Sequence, residues 1–437
     1  MTKGAFGDSP IIFMKIKINE INKLEGHISF QAALDKGDVK MAKITVEEGA
    51  RMIEGILIGR NYYEAPIITA RICGICPVVH NLTSVKAIEN ALSMKVSSEI
   101  IALRKIMLAA QIAQSHILHL YFCSLPDFFC LSDNFKLLKK FPEEGKKAIN
   151  IRDYANKVVE VIGGREIHPI NSVVGGFNVM PKEKDLAELR KEIKDILKNA
   201  LDLGEFFEKL KYPKFSRETS YVSLEAKSEY GFYDGGLRES VSMSHGKIPL
   251  NLPLKKGENR FLDLIKEVES GNVEKRAEID GKSYMIGAIA RVYNNHGKLM
   301  PKAKNIFLKN KKELMEFNSF YNILAQAIEL VHFCEVIEKE LKYYRDKALS
   351  CSSKKIKLCS GRGEAMCEAP RGILYHSYEL DENGKILNCN IITPTAQFLN
   401  NMEDDMKVYL KDDKNQTAKK IKFLIRAYDP CISCATH

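Results

Sequence analysis

No stretch of this sequence is built for a bilayer. The longest uncharged run, Ile106 to Pro126, carries Gln111, Gln114, Ser115, His116 and His119. A membrane span needs about 20 apolar residues, so this polar-studded run reads as a buried helix and no membrane span is expected. The amino terminus offers only Pro10-Ile11-Ile12-Phe13 as an apolar patch, too short for a secretory signal core. Low-complexity segments and internal repeats are absent. The composition, 45% hydrophobic and 28% charged, excludes a disordered or collagen-like chain. The 66 Lys and Arg against 56 Asp and Glu leave a net charge of +10, but the surplus is scattered lysine. No run interleaves basic residues with aromatics, so no nucleic-acid partner is expected; a surface facing an acidic protein partner explains the charge equally well. The Ser360-Gly361-Arg362-Gly363 run lacks both the glycine pattern and the Lys-Ser/Thr of a phosphate loop. A cytoplasmic protein is expected.

A length of 437 residues admits either one large domain or several. Met14 opens a strand-like pattern, so residues 1–13 read as an extension. Alternation over 15–48 predicts a hairpin or small sheet with a turn near Lys36-Gly37-Asp38. The spacing turns helical over Glu48–Arg60, and 84–130 reads as two long helices, the second central to the core. A Lys-rich connector and a helix follow over 135–160, then a Gly- and Pro-punctuated loop over 163–176. Residues 182–211 form a charged amphipathic helix with Leu186, Leu189, Ile193, Ile196 and Leu197 on one face. The span 212–305, rich in Pro and Gly, is expected to be a strand-rich subdomain. Another long helix covers 311–348. After Ser352, short strands and loops precede a last helix near 416–427.

What chemistry the chain carries is signalled by cysteine. Eleven cysteines without a signal peptide point to metal-binding or catalytic thiolates rather than disulfides. Near the start stands Arg71-Ile72-Cys73-Gly74-Ile75-Cys76-Pro77-Val78-Val79-His80; the chain finishes Asp429-Pro430-Cys431-Ile432-Ser433-Cys434-Ala435-Thr436-His437. Each is a Cys-x-x-Cys followed by a His. Chance supplies about 0.3 such pairs in this composition, so two are unusual without being decisive. By spacing alone a four-cysteine zinc site or a redox dithiol stays open. Zinc ribbons, however, keep their pairs tens of residues apart. Closing the loop between Cys73 and Cys431 costs on the order of 5 kcal/mol of chain entropy, so such a site must be assembled by the whole fold.

With these motifs in place, the chain resembles the large, catalytic subunit of a nickel–iron hydrogenase. The matching motifs run in order along nearly its whole length: Lys23-Leu24-Glu25-Gly26-His27, Glu54-Gly55-Ile56-Leu57-Ile58-Gly59-Arg60, the first cysteine motif, Gly163-Gly164-Arg165 with Ile167-His168-Pro169, Glu368-Ala369-Pro370-Arg371-Gly372, Pro394-Thr395 and the terminal cysteine motif. The resemblance implies a predominantly α (α+β) large-subunit fold, a single domain over 1–437 with a central bundle of long helices and small peripheral β elements. It implies that Cys73, Cys76, Cys431 and Cys434 hold nickel, with Cys76 and Cys434 bridging to an iron that carries carbon monoxide and cyanide. Soft thiolates suit nickel. By the same resemblance His80 would donate to the Cys434 sulfur, and Arg371 would sit over the metals with Asp429 as its partner. Thr395, after Pro394, would offer its hydroxyl to a cyanide. Glu54, the carbonyl of Ile391 and His437 resemble a buried magnesium site, although magnesium prefers oxygen donors to imidazole.

Dihydrogen cleavage needs a proton acceptor. A neutral Arg371 at pH 7 costs about 7–9 kcal/mol, whereas a metal-bound thiolate is already deprotonated. Cys431 is therefore the expected first acceptor, with Glu25 passing the proton outward and Arg371 as electrostatic positioner. Read without the resemblance, Glu25 is a turn residue, Glu54 a helix-surface carboxylate, and Arg371 the member of a buried ion pair with Glu368 or an Asp.

The chain has no further cysteine cluster for iron–sulfur centres, so those are expected only on a partner. The expected partners are a small subunit with at least one cluster, and diaphorase or cofactor-reducing subunits passing electrons to NAD(P) or a deazaflavin. A maturation chaperone and a C-terminal endopeptidase are further expected partners. Two rivals keep the fold: a dihydrogen-sensing regulatory hydrogenase, and a non-catalytic scaffold like the quinone-site subunit of complex I, against which the four cysteines argue. His116 and His119, three apart on one helix face, read as hydrogen-bonded core residues. Cys123, Cys130, Cys334, Cys351, Cys359, Cys367 and Cys389 read as small apolar fillers. Two positions depart from the family pattern. Lys23 replaces an Arg and loses bidentate geometry. Ser115 replaces an acid that some members place near Arg371, which is expected to remove that contact.

Overall fold

The computed structural model describes residues 14–35, 38–240, 260–345, 356–412 and 418–437. Four long helices form the centre: Ser98–Ile117, Pro142–Gly163, Glu183–Glu208 and Tyr321–Arg345. Ser98–Ile117 packs on both Tyr321–Arg345 and Pro142–Gly163, and Glu183–Glu208 on the same two. The apolar stripe of Glu183–Glu208 explains its seat: Leu186, Leu189, Ile193, Ile196 and Leu197 are all buried, with the charged face outward. Ser98–Ile117 runs on through a π-helical stretch, Leu118–Ser124, into Leu125–Phe128. This run is long and apolar enough to cross a membrane, but 78% of its apolar window is buried inside the protein.

Small sheets flank the bundle. Met14–Ile18, Ile28–Asp35 and Asp38–Val46 form an antiparallel meander; the expected turn at Lys36 and Gly37 lies outside the described residues. Gly361–Ala369, Gly372–Leu380 and Ile386–Ile392 form a second antiparallel sheet, laid on the Pro77–Ala91 helix. Its first strand contains most of the Ser-Gly-Arg-Gly run, whose glycines have a packing reason. A Cβ on Gly361 or Gly363 would run into the backbone of Ala91, so helix and strand touch main chain to main chain.

The span 212–305 carries the strands Ser220–Glu225, Gly236–Ser240, Ile265–Val268, Arg276–Ile279 and Tyr284–Met285. Its Ala288–Asn295 helix packs on Tyr321–Arg345 and its Arg276–Ile279 strand on Pro394–Asp412. Pro249 and Pro253, residues 1–13 and Cys351 lie outside the described residues.

Three element expectations are corrected. Over Glu48–Arg60 only Ile53–Leu57 is helical, because Arg51 and Gly59 are drawn into backbone bonds with Thr436 and Ile386 at 2.9 and 2.8 Å. The helix expected over 311–348 breaks between Lys311–Leu314 and Tyr321–Arg345. The loops expected after the last strands are instead a 19-residue helix, Pro394–Asp412. Its buried Phe398, Leu399, Met402, Met406 and Leu410 recur at helical spacing.

Candidate metal centre

Both cysteine motifs sit where a loop turns into a helix. Cys76 immediately precedes the Pro77–Ala91 helix, with Pro77 at its first position, where a missing N–H is harmless. Cys431 precedes the short Ile432–Ala435 helix, after Asp429 in a left-handed conformation at φ 54°. The Pro77–Ala91 helix and the chain's last residues therefore bring the two motifs together. The Cys73 and Cys431 sulfurs lie 3.3 Å apart, Cys76 and Cys434 3.3 Å apart, and Cys431 and Cys434 3.1 Å apart. All four thiols are buried and none is in a disulfide. Among the described residues this quartet is the one group of three or more His, Cys, Asp or Glu side chains placed to hold a metal ion.

Packing four thiols this closely sets them against one another. Hydrogen bonds from its three neighbours pull Cys73 well below the usual thiol range. Burial pushes Cys431 well above it, and its thiol neighbours push Cys434 well above it. Only a cation at the centre lets all four be thiolates together, so the donor set fits a soft, thiolate-binding metal.

Glu25 reaches the centre through a single parallel backbone bridge to Cys431, sealed by the Ile432 N–H donating to the Glu25 carbonyl at 3.1 Å. Its carboxylate Oε2 lies 3.2 Å from the Cys431 sulfur and accepts the Ser433 N–H at 3.0 Å, while the Ser433 hydroxyl donates to Oε1. Gly26, at φ 87°, is required here: a Cβ would strike the Ile432 side chain. The Thr395 hydroxyl oxygen accepts the Cys431 N–H at 3.0 Å, and Pro394 starts the helix that carries it. His80 Nε2 is 3.8 Å from the Cys434 sulfur.

Arg371 pairs with Asp429, not with Glu368. Its Nη2 donates to Asp429 Oδ1 at 2.8 Å and its Nε to the Asp429 carbonyl at 2.7 Å. The contact expected to be lost at Ser115 persists in weaker form, with Arg371 Nη1 3.4 Å from the hydroxyl. Glu368 instead pairs with Arg291, which also donates to the carbonyls of Ala369 and Pro370 just before Arg371, all at 2.9–3.0 Å. Lys23 donates to the Leu131 carbonyl at 3.2 Å.

Glu54, Ile391 and His437 also converge. Lys275 Nζ stands among them, 2.8 Å from both Glu54 oxygens and 3.2 Å from the Ile391 carbonyl. The two His437 ring nitrogens face carbonyl oxygens of Cys434 and Ile391 at 2.7 and 2.9 Å. Burial pushes this imidazole down to about 4, so it is neutral and one nitrogen turns a lone pair toward an oxygen. The Glu54 carboxylate and the Ile391 carbonyl are oxygen donors that suit a hard cation, a position the Lys275 ammonium takes here, and His437 would complete the set.

His116 and His119 are core residues bonded to Glu329 at 2.8 Å and to the Arg426 carbonyl at 2.7 Å. Of the cysteines read as fillers, Cys334 and Cys367 are buried and Cys123 and Cys389 half-buried, but Cys130 and Cys359 are exposed. Cys130 sits in a left-handed turn at φ 51° just past a helix end, which turns its side chain to the surface.

The chain matches the family model for nickel-dependent hydrogenase over residues 51–142 and 275–437. It belongs to that family. It is 32% identical to the alpha chain of sulfhydrogenase 1 from Pyrococcus furiosus, covering 98% of both chains. It is 28% identical to a chain of the vhu F420-non-reducing hydrogenase of Methanocaldococcus jannaschii, over 89% of this chain and 97% of that one. The structure of an NAD+-reducing [NiFe]-hydrogenase in the H2-reduced state superposes with a TM-score of 0.84 at 25% identity, covering 97% and 99% of the two chains. The chain is thus a hydrogenase catalytic subunit, an oxidoreductase acting on hydrogen, with the expected α+β large-subunit fold. Its buried cysteine quartet is the seat of a nickel–iron centre.

Sequence reasoning missed the residues that hold the terminal segment. Arg51 donates to the Ser433 carbonyl, Thr393 Oγ1 to the Cys434 carbonyl at 2.7 Å, and the Lys275 N–H to the Ala435 carbonyl at 2.9 Å. Each is an isolated polar residue in an otherwise ordinary segment, so spacing carried no signal.

Proposed function

We propose that this subunit cleaves dihydrogen heterolytically and reversibly, with Cys431 as first proton acceptor and Glu25 as the relay. The observation that carries this reading is the Glu25 carboxylate, half-buried and 3.2 Å from the Cys431 sulfur. Cys73, Cys76, Cys431 and Cys434 would hold nickel and iron, which when bound would supply the electrophilic, redox-active site for dihydrogen. The Cys431 sulfur receives the proton, and Glu25 accepts it within hydrogen-bond reach. Ser433 holds the carboxylate from two sides. Arg371, fixed by Asp429, keeps its charge and orients the site electrostatically. Arg371 and Thr395 would face the carbon monoxide and cyanide on the iron. Glu54, the Ile391 carbonyl and His437 would hold magnesium, leaving Lys275 paired with Glu267, which it already meets at 3.2 Å.

Electrons leave through a small subunit carrying at least one iron–sulfur cluster. Exposed apolar residues support its seat beside the first cysteine motif: Met52, Ile56, Ile58, Tyr63 and Ile67 on one segment, Ile167, Ile170 and Val179 on another. His168 joins the two by donating to the Ala70 carbonyl at 2.8 Å. Gly74, between Cys73 and Cys76, is itself exposed, so a partner's cluster has an approach to the centre. Nicotinamide is the favoured acceptor over a deazaflavin, supported by the NAD+-reducing structural relative and by relatives named as F420-non-reducing. The free thiols suit a reducing, cytoplasmic setting. Maturation by a chaperone and a C-terminal endopeptidase follows the family pattern.

Assays of the anaerobically purified complex test this. Dihydrogen should reduce a viologen dye and NAD(P)+ but not a deazaflavin. Fully metallated complex that leaves the dye oxidised would overturn the proposal.

A further inference from the structure

A helix face and a strand face interlock behind Cys434. His80 and Ser84 are four apart on the Pro77–Ala91 helix and share one side. His376 and Tyr378 are two apart on the Gly372–Leu380 strand and share one face. All four side chains are fully buried, and they touch in series. His80 Nε2 lies 3.8 Å from the Cys434 sulfur, and His80 Nδ1 lies 3.3 Å from His376 Nε2. His376 Nδ1 is 3.0 Å from the Tyr378 hydroxyl, which is 2.9 Å from that of Ser84.

Only one proton arrangement satisfies every link. Neither ring contacts a carboxylate, and a neutral imidazole carries a single N–H. A metal-bound thiolate offers only lone pairs, so His80 must turn Nε2–H toward Cys434. His80 Nδ1 is then an acceptor, and His376 must donate from Nε2. That leaves His376 Nδ1 to accept from Tyr378, whose only proton is now used, so Ser84 donates to Tyr378. The reverse order would press a lone pair of His80 against the thiolate.

We infer that Ser84, Tyr378 and His376 form a one-way hydrogen-bond chain that locks the His80 tautomer and strengthens its donation to the Cys434 sulfur. This rests on the nickel–iron reading of the quartet. Aligned donors polarise one another by roughly 10–30% per bond, drawing electron density from the Cys434 sulfur. At its far end the Tyr378 hydroxyl meets both Ser84 and Thr69, each fully buried, so the chain tunes the centre and does not carry protons to solvent. His376 and Tyr378 are positioning residues, acting through His80.

Infrared spectra of the purified holo-complex test it. Tyr378→Phe and His376→Leu remove the chain's donors, leave more electron density on the sulfur, and should move the iron-bound carbon monoxide band to lower wavenumber, His376→Leu further. In a His80→Ala background, Tyr378→Phe should move nothing more. Unmoved bands in fully metallated Tyr378→Phe, or an equal shift without His80, would overturn the inference. Should His376→Leu fail to assemble, Tyr378→Phe decides it by the same criterion. Absence of such bands from the wild type would instead strike the nickel–iron reading.

Discussion

Glu25 meets Cys431 across 406 positions of sequence, at 3.2 Å. One backbone bridge, one glycine with a left-handed φ and one serine hold it there. Converting the carboxylate to an amide keeps its size and its contact with Ser433 but removes the proton acceptor. Glu25→Gln should therefore keep its metals and its infrared bands while exchange of deuterium gas with water falls by about 10²–10⁴-fold, the usual worth of a positioned acid or base. Exchange at the wild-type rate would assign the relay elsewhere. At this scale the site is partly legible in the sequence. Cys73, Cys76, Cys431 and Cys434 announce themselves by spacing, and Glu25, Arg371 and Asp429 by the motifs around them. Arg51, Lys275, Ser433, His376 and Tyr378 do not, because each acquires its role only once remote segments meet.

Between residue and molecule lies the turn from Gly361–Ala369 into Gly372–Leu380, which presents Arg371. Arg291 clamps it through the carbonyls of Ala369 and Pro370 and is shared by two buried carboxylates. Two contacts to Arg291, plus His116, hold Glu329 down at about 2, against burial. Burial pushes Glu368 up to about 7, only partly offset by Arg291. The folded state thus binds a proton at Glu368 that the unfolded chain, at the ordinary carboxylate value, releases between about pH 4.5 and 7. Folding stability contributed by that proton is present below this window and lost as pH rises through it, by about 3 kcal/mol. Glu368→Gln mimics the protonated form, so the decline in denaturation midpoint from pH 5 to pH 8 should flatten; an unchanged slope would place the titration on another group. Elements were legible where one apolar stripe faced the core, as over Glu183–Glu208. They are not legible where tertiary bonds override local pattern, as around Ile53–Leu57, or where a helix opens on a proline, as in Pro394–Asp412.

For the molecule as a whole, the centre is a closure between its two ends. The Pro77–Ala91 helix and the terminal residues meet inside the protein. The last segment is tied by Glu25, Arg51, Lys275, Thr393 and Thr395. Such a site is expensive in chain entropy and is stabilised once metal binds the deprotonated thiols. Fold class and family were legible because motifs recur in order along nearly the whole chain. The seat proposed for the partner was not, because exposed apolar residues such as Met52 and Val179 follow no spacing in the sequence. The chemistry of the subunit depends on these four thiolates holding a nickel–iron pair. Metal analysis with infrared spectroscopy on the complex purified with its native partners decides that point. One nickel and one iron per chain are expected, with bands in the carbon monoxide and cyanide window, both lost in Cys434→Ser. Zinc, or no metal and no such bands, in fully matured protein would refute the nickel–iron assignment.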